Sequence, residues 1–223
     1  MIVFDMDGVL VDVTESYRET IVQTVRRMSG QTVGRERIQE YKNLGGWNND
    51  WLLSRKILAD FGMEVPYEAV VEEFQKIFFG PNGNDGLMQR EVWIDTTGAL
   101  GRLSKQYLLS VFTGRLRAEA QMTLDRFADG LPFLRVIGDD DVTIGKPDPE
   151  GLLQLQSLYP GRAFVYVGDT VDDARSSQAA GVPFIGVGHR RDEGHAHTVE
   201  LMERCGAIAI IESINELEQV LPA

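Results

Sequence analysis

The sequence has very little cysteine, no long apolar run and no secretory leader pattern. The single cysteine, Cys205, cannot form a disulfide within the chain, which indicates a reducing compartment. No apolar run approaches the ~20 residues that a transmembrane helix needs. The chain begins directly with a strand-like segment, without the basic and apolar regions of a signal peptide. We therefore expect a cytoplasmic protein without a membrane partner.

Basic charge is also scarce, because 22 basic residues face 34 acidic ones and the formal net charge is -12. Proteins that bind nucleic acids normally carry a basic stripe, and none is visible here. Binding of an anionic ligand would need local positive charge from a bound cation, helix N-termini or a few basic side chains placed at the site. The length of 223 residues fits a core domain with a modest insertion. We expect a monomer or a weak homodimer with a small-molecule partner.

The first segment, "MIVFDMDGVLVD", places two carboxylates directly behind a short apolar run. Ile2, Val3 and Phe4 are typical of a strand that is covered on both faces. Asp5 and Asp7 follow it, and burying like charges close together costs several kcal/mol unless something compensates. Their spacing projects both side chains to the same side of an extended backbone.

Residues 14 to 80 predict a run of helices without a convincing strand. The first helix would begin near Thr14 as N-cap and end at Gly30. Two further segments, 48–62 and 66–80, have the same format of apolar periodicity followed by glycine. The polar, glycine-rich residues 80–86 then predict a linker.

From about residue 95 onward, strand and helix patterns alternate, which predicts a mainly parallel sheet. The predicted strands are 107–114, 134–140, 163–169, 182–187 and 207–211. The predicted helices are 96–105, 116–128, 149–158, 172–180, 196–204 and 214–220. We therefore expect an α/β fold, with a Rossmann-like, doubly wound core formed by residues 1–12 and 83–223. An all-helical domain, residues 13–82, would be inserted into it.

Polar residues collect at the carboxyl ends of the predicted strands, where parallel sheets bind ligands. Asp5 and Asp7 follow the first strand, Thr113 the second and Asp169 the strand at 163–169, while Lys146 lies in a nearby loop. Each of these taken alone is typical of a turn or a helix cap. Together they predict a cavity for a phosphoryl group, in which Mg2+ removes the repulsion between carboxylates.

The motifs of the sequence resemble those of the haloacid dehalogenase (HAD) superfamily, in the branch with a helical cap. "DMDGVLVD" is similar to the first motif of that family, DxDGxxxD, and "VFTGR" to the second. "GKPDPEG" is similar to the third motif and "VGDTVDDARSSQAAG" to the fourth. All four occur in the expected order, and together with the cap they cover nearly the whole chain.

This resemblance implies catalytic roles for residues of the first three motifs. Asp5 would be the nucleophile and Asp7 the general acid and base. Thr113 and the Gly114 backbone would hold the phosphoryl oxygens, while Lys146 would neutralise charge and orient Asp5. A departing halide needs no proton, so Asp7 argues against dehalogenation and for phosphate esters.

The resemblance also implies a Mg2+ site. The ion would be bound by Asp5, the carbonyl oxygen of Asp7, and Asp169. Asp173 would act directly or through water, and Asp172, which stands where the family often has Asn, is a weaker candidate.

The helical insert is expected to close over the site and to select the leaving group. Its most unusual segment, "KNLGGWNNDW" (42–51), contains three candidate substrate contacts, Lys42, Trp47 and Asn48. Arg18 on the first helix and Arg115 after the second motif are further candidates.

The same segment also has a purely structural interpretation. Asn49 or Asp50 would cap the following helix, and Trp51 would belong to the core of the insert. If the substrate carries an amine, Asp50 could pair with it. The three histidines, His189, His195 and His197, match no zinc spacing and are expected in a solvated loop.

Three functions fit the sequence. The first is a Mg2+-dependent phosphatase that hydrolyses a sugar phosphate or an amino alcohol phosphate such as histidinol phosphate, through an aspartyl-phosphate. The second is a sugar phosphomutase of the β-phosphoglucomutase type, since relatives with the same first motif return the phosphoryl group to a sugar. The third is an inactive binding or regulatory protein, against which the full set of acids and bases argues.

Overall fold

The computed structural model describes residues 1–191 and 194–221 of the chain. Cα distances divide the chain into two compact units. The first unit contains residues 1–11 and the chain from Trp93 onward, and the second unit is Asp12–Val92. The assignment of residues 13–82 as a functional cap domain stays a prediction.

Eight strands and nine α-helices lie in the described part of the chain. The strands are β1 (Ile2–Phe4), β2 (Val11–Asp12), β3 (Val92–Trp93), β4 (Leu109–Phe112), β5 (Phe133–Ile137), β6 (Val165–Gly168), β7 (Phe184–Val187) and β8 (Ala209–Ile211). The helices are α1 (Tyr17–Ser29), α2 (Arg35–Leu44), α3 (Asp50–Asp60), α4 (Tyr67–Phe79), α5 (Ala99–Leu103), α6 (Arg117–Phe127), α7 (Glu150–Leu158), α8 (Val171–Ala180) and α9 (His195–Arg204). Short 3-10 helices add Leu87–Arg90, Asp139–Asp141 and Ile214–Gln219.

The first unit contains a six-stranded sheet in the order β5-β4-β1-β6-β7-β8. All of its neighbouring strands pair in parallel. The central strand β1 has β4 and β6 as neighbours, and all three of its apolar residues are buried, as is typical of an interior strand in a parallel sheet. The predicted mainly parallel α/β fold is confirmed. The short strands β2 and β3, which pair with each other, were not predicted.

The core of the first unit packs β-strand side chains against α7, α8 and α9. Its buried cluster contains Val3, Phe112, Leu152, Tyr166 and Met202, among others. The predicted helices between strands are present with shifted ends. The last one is wrong in type, because residues 214–219 form a 3-10 helix.

The second unit is built from α1, α2, α3 and α4, and the predicted all-helical insert is confirmed. Helix α1 ends as predicted at Gly30, whose φ of 72° lies in the left-handed region that glycine tolerates. The predicted N-cap Thr14 is wrong, because the cap position belongs to Ser16. The core of the second unit contains several aromatic rings. The Tyr17 ring lies 4.2 Å from that of Phe78 and 5.8 Å from that of Phe74.

In the described part of the chain, no helix has the length and apolarity that crossing a bilayer requires.

Candidate active site

The carboxyl ends of the central strands bring four of the predicted residues together. Asp5 follows β1, and its backbone N–H donates to the Val167 carbonyl oxygen of β6 at 2.8 Å. Thr113 follows β4, and Asp169 follows β6. Lys146 reaches the same place from the loop before α7. In parallel α/β sheets this edge, at the strand where the chain order reverses, is the usual ligand crevice.

The Lys146 ammonium group lies at the centre of this site. Its Nζ donates to Asp5 Oδ1 at 2.9 Å, to Asp173 Oδ1 at 2.6 Å and to the Tyr166 hydroxyl at 2.9 Å. The side chain is only 1% exposed. Since an ammonium group has three N–H donors, this buried charge is fully hydrogen-bonded. Lys146 is thus in direct contact with Asp5. The catalytic role that the resemblance implies for it stays a prediction.

Sequence reasoning missed Tyr166. Its hydroxyl lies 2.7 Å from Asp173 Oδ1 and 3.1 Å from the Phe112 carbonyl oxygen, both of which are acceptors. The residue lies within β6, which the sequence predicts as an apolar buried strand. One signal was available in the sequence: Tyr166 has a hydroxyl and lies three positions before Asp169. Because a buried hydroxyl needs a hydrogen-bond partner, it indicated a polar neighbour at this strand.

The charges of this cluster shift one another's protonation. Burial raises the pKa of Asp5 to about 7, against the lowering effect of Lys146, while Asp173 and Asp7 raise it further. Burial alone would lower the pKa of Lys146, but the charges of Asp173 and Asp5 outweigh it and raise that pKa. Burial alone would raise the pKa of Asp173, but the charge of Lys146 outweighs this effect and lowers that pKa. Burial raises the pKa of Tyr166, which keeps the hydroxyl neutral.

Three of the predicted metal ligands form one cluster. Asp5, Asp169 and Asp173 each offer a carboxylate oxygen, and these oxygens lie within 4.8 Å of one another. Against the single ammonium of Lys146, three carboxylates leave an excess of negative charge that a divalent cation would balance. An all-oxygen set of this kind suits Mg2+. The residues present therefore fit the ion.

Two glycines allow the carboxylates to approach the strand ends. A Cβ on Gly8, whose φ is 71°, would lie 2.0 Å from Asp169 Oδ2. A Cβ on Gly168 would lie 2.5 Å from the Asp173 Cβ. Side chains at these positions would fill the cradle, so both glycines are needed for the cluster.

Asp173 and Asp172 have different surroundings. Asp173 belongs to a capping box with Thr170, whose N–H and hydroxyl donate to Asp173 Oδ2 at 3.0 and 2.6 Å. Asp172 lies outside the three-carboxylate cluster, with Arg175 Nη1 3.9 Å from its Oδ1. Of the two, Asp173 is thus the one beside the candidate metal site.

Asp7 lies at the partly open side of the site, with its side chain 30% exposed. Its Oδ1 accepts from Arg115 Nε, and Arg115 Nη2 is also 2.6 Å away. The Arg115 side chain, a predicted substrate contact, is only 1% exposed. Sequence reasoning did not anticipate this pairing.

The predicted phosphoryl contacts, Thr113 and Gly114, lie between β4 and α6. The Thr113 N–H donates to the Ile137 carbonyl oxygen at 3.0 Å, which fixes the strand end. Thr113 Oγ1 accepts from the Arg115 N–H at 3.2 Å. The residue is 1% exposed, so its hydroxyl is held in one place.

Within the second unit, the predicted substrate contacts have structural partners of their own. Arg18 Nη1 donates to Gln39 Oε1 at 2.7 Å. The Trp47 ring packs edge-on against Tyr41 at 5.9 Å. Asn48 is half-buried. Their contact with substrate stays a prediction.

The segment 42–51 is partly helical, because Lys42 lies in the last turn of α2, a helix that was not predicted. Lys42 Nζ is 2.5 Å from Asp50 Oδ1, with both side chains nearly buried. Lys42 thus already neutralises Asp50, which argues against the amine-binding role considered for Asp50. Asn49 caps α3 by accepting from Trp51 and Leu52 N–H groups, as the structural interpretation expected.

The histidines do not lie in one solvated loop. His189 is half-buried, and its Nε2 is 2.7 Å from the Gly8 carbonyl oxygen. His195 and His197 belong to α9. The expectation for His189 is therefore wrong, because it contacts the loop that follows Asp7.

This arrangement agrees with comparisons to known proteins. The profile of the haloacid dehalogenase-like hydrolase family matches residues 2–187. The chain belongs to this family. The predicted superfamily is thereby confirmed.

Individual relatives support the predicted enzyme class, a phosphoric monoester hydrolase. The chain is 26% identical over 240 residues to phosphoglycolate phosphatase of Escherichia coli, covering 100% of this chain and 91% of that protein. A haloacid dehalogenase-like protein of unknown function from Agrobacterium tumefaciens has the same fold, with 20% identity and a TM-score of 0.73. That match covers 98% of this chain and 96% of the other.

One relative is longer than this chain. The imidazoleglycerol-phosphate dehydratase of Phytophthora nicotianae is 30% identical over 242 residues. The match covers 100% of this chain but only 52% of that protein, so this chain spans about half its length.

Proposed function

We propose that the protein is a Mg2+-dependent phosphatase that hydrolyses a small phosphorylated metabolite through a phosphorylated Asp5. The observation that carries this proposal is the buried Asp5–Lys146–Asp173 group beside Asp169, with Asp7 at its open side. It supplies a nucleophile, a charge-orienting ammonium, oxygen ligands and a second carboxyl at one strand edge.

The first step transfers the phosphoryl group to the protein. An Asp5 carboxylate oxygen attacks phosphorus in line, and the bond from phosphorus to the ester oxygen breaks. The electron pair stays on the ester oxygen, which takes a proton from Asp7. The ammonium of Lys146, 2.9 Å from Asp5 Oδ1, holds the attacking carboxylate in position. The Thr113 hydroxyl and the Gly114 N–H hold the phosphoryl oxygens.

The second step releases inorganic phosphate. Asp7, now a carboxylate, takes a proton from a water molecule whose oxygen attacks phosphorus. The bond between phosphorus and Asp5 breaks, and Asp5 regains its carboxylate. Both residues thus return to their starting protonation.

Asp5, Asp169 and Asp173 would hold the Mg2+ ion, together with the Asp7 carbonyl oxygen. When bound, the ion neutralises negative charge on the carboxylates and on the phosphoryl oxygens.

For the substrate, we favour an amino alcohol phosphate such as histidinol phosphate. The support is the Phytophthora relative, since a stretch like this chain forms about half of a protein named for a dehydratase of an imidazole phosphate ester. Joining two activities in one chain is reasonable when they act on chemically related substrates. Phosphoglycolate and sugar phosphates are the competing substrates, the first because of the similarity to phosphoglycolate phosphatases.

A phosphate-release assay tests the proposal. The substrates would be histidinol phosphate, phosphoglycolate, glucose 6-phosphate and β-glucose 1-phosphate, each with Mg2+ and with EDTA. We expect steady release that EDTA abolishes, fastest from histidinol phosphate. Asp5→Asn should abolish release, whereas Asp129→Asn, at an exposed loop position, should not.

Other outcomes would decide against the proposal. Turnover of β-glucose 1-phosphate only after addition of a glucose bisphosphate would identify a phosphomutase. Full activity in EDTA would contradict the role of the carboxylate cluster. Absence of turnover with every ester would favour a binding protein.

A further inference from the structure

Arg115 contacts the proposed acid and base directly. Its Nε and Nη2 both lie 2.6 Å from the same oxygen, Asp7 Oδ1. Its Nη1 donates to Thr123 Oγ1 at 2.8 Å, on helix α6. The guanidinium is planar, so anchoring it at Thr123 also fixes the direction of the two groups that face Asp7.

This contact makes the two oxygens of Asp7 unequal. Oδ1 accepts a hydrogen bond from Arg115 Nε and lies 2.6 Å from the positively charged Nη2 group, so this oxygen faces the guanidinium. Among the described residues, none bonds to Oδ2. A proton on Asp7 therefore resides on Oδ2, and the carboxyl plane is held so that this oxygen is the one that exchanges protons.

The burial of Arg115 separates this role from substrate binding. Its side chain is 1% exposed, whereas that of Asp7 is 30% exposed. The guanidinium thus contacts Asp7 from the buried side of the site. Any effect of Arg115 on the substrate would therefore pass through Asp7.

We infer that Arg115 is a positioning residue, which holds Asp7 through Oδ1 so that Oδ2 delivers the proton to the leaving oxygen. The inference rests on the proposed function. In this role Arg115 affects only the protonation of the leaving group. A direct contact between Arg115 and the phosphoryl group would not have this selective effect.

A pair of esters distinguishes this role from a general structural one. The p-nitrophenolate group departs without a proton, whereas an alkoxide needs one from Asp7. The value of kcat/KM reports the steps up to the first irreversible one, which includes departure of the leaving group. Misplacing Asp7 should therefore lower kcat/KM for an alkyl phosphate selectively.

The test compares wild-type protein and Arg115→Met on p-nitrophenyl phosphate and on the fastest alkyl phosphate of the panel. We expect kcat/KM to fall more than about tenfold for the alkyl ester and less than about threefold for the aryl ester. Thr123→Val should cause a smaller loss with the same selectivity, while Thr123→Ser, which keeps the hydroxyl, should not. Arg117→Met is the matched control, since Arg117 is exposed and pairs with Asp141.

A double variant checks that the effect passes through Asp7. In protein that already carries Asp7→Asn, adding Arg115→Met should not increase the selectivity between the two esters. An equal loss on both esters, or a selective loss that persists with Asp7→Asn, would overturn the inference.

Folding and activity controls keep the test decisive. If Arg115→Met does not fold by circular dichroism, Thr123→Val decides, and its failure to show selectivity overturns the inference. Wild-type protein that hydrolyses neither ester would instead refute the proposed function, and this inference with it.

Discussion

The buried carboxylates are stabilised by hydrogen bonds from a few individual side chains. Lys146 is 1% exposed yet has three acceptors, two of which are carboxylates. Breaking such a group by removing one partner leaves a buried charge incompletely compensated. The hydroxyl of Tyr166 is the neutral member of this set and can be removed without changing charge.

Replacing Tyr166 by Phe should therefore destabilise the protein without abolishing catalysis. The variant removes one acceptor from Lys146 and one donor from Asp173, at 2.9 and 2.7 Å. We expect the free energy of unfolding to fall by about 1–3 kcal/mol, measured by urea titration. Tyr159→Phe is the control, since Tyr159 packs at the edge of the same core. Equal effects of the two substitutions would show that the hydroxyl of Tyr166 contributes nothing.

Replacing Gly8 by Ala should disrupt the carboxylate cluster of the candidate metal site. The new Cβ would lie 2.0 Å from Asp169 Oδ2, so Asp169 would have to move. We expect the Mg2+ concentration needed for half-maximal activity to rise at least about tenfold, as for loss of a group that orients a metal ligand.

Gly161→Ala is the matched control for that substitution. Gly161 has a φ of 76°, similar to 71° at Gly8, but nothing lies within 4 Å of its added Cβ. It should cost about 1–2 kcal/mol of stability through backbone strain alone, with unchanged Mg2+ dependence. A similar change in Mg2+ dependence for both variants would contradict the clash at Asp169.

The position of Asp5, Asp169 and Lys146 at one edge of the sheet was predictable, because each follows a strand pattern or lies in a recognisable motif. The pairing of Arg115 with Asp7 was not, since it joins positions 108 apart and depends on side-chain direction. Tyr166 was hidden for another reason. Aromatic residues are common in strands, so its presence in β6 gave no separate signal.

At the scale of elements, glycine correctly marked the ends of α1 and α4, and asparagine the start of α3. Helix α3 begins after Asn49, whose side chain accepts from two N–H groups. Helix α2 was missed because its sequence, "RERIQEYKNL", is mostly charged or polar, and Gly34 at its start offers no side-chain cap. Buried Ile38 and Tyr41 give it too few apolar positions for periodicity to show.

Removing the Asn49 cap should weaken the second unit. Asn49→Ala leaves the Trp51 and Leu52 N–H groups without this acceptor, at 3.0 and 3.1 Å. We expect the free energy of unfolding to fall by about 1 kcal/mol in urea titration. The neighbouring Asn48→Ala should change stability by less than about 0.5 kcal/mol. A larger loss from Asn48→Ala than from Asn49→Ala would reverse this assignment.

For the whole molecule, the net charge of -12 opposes binding of a phosphate ester. The cluster of Asp5, Asp169 and Asp173 adds to that repulsion locally, and Lys146 offsets only part of it. Binding of a divalent cation would thus serve two needs, since it would stabilise the folded protein and make the site receptive to an anion.

Metal removal should accordingly be visible in stability as well as in activity. A ligand that binds only the folded state stabilises it by about 2.7 kcal/mol at a concentration one hundred times its Kd. We expect Mg2+ to raise the Tm in calorimetry, with EDTA reversing the rise. Asp169→Asn should remove most of this shift, because it takes one charge from the cluster, while Asp129→Asn at an exposed loop should preserve it. An equal rise in both variants would mean that Mg2+ binds elsewhere on the acidic surface.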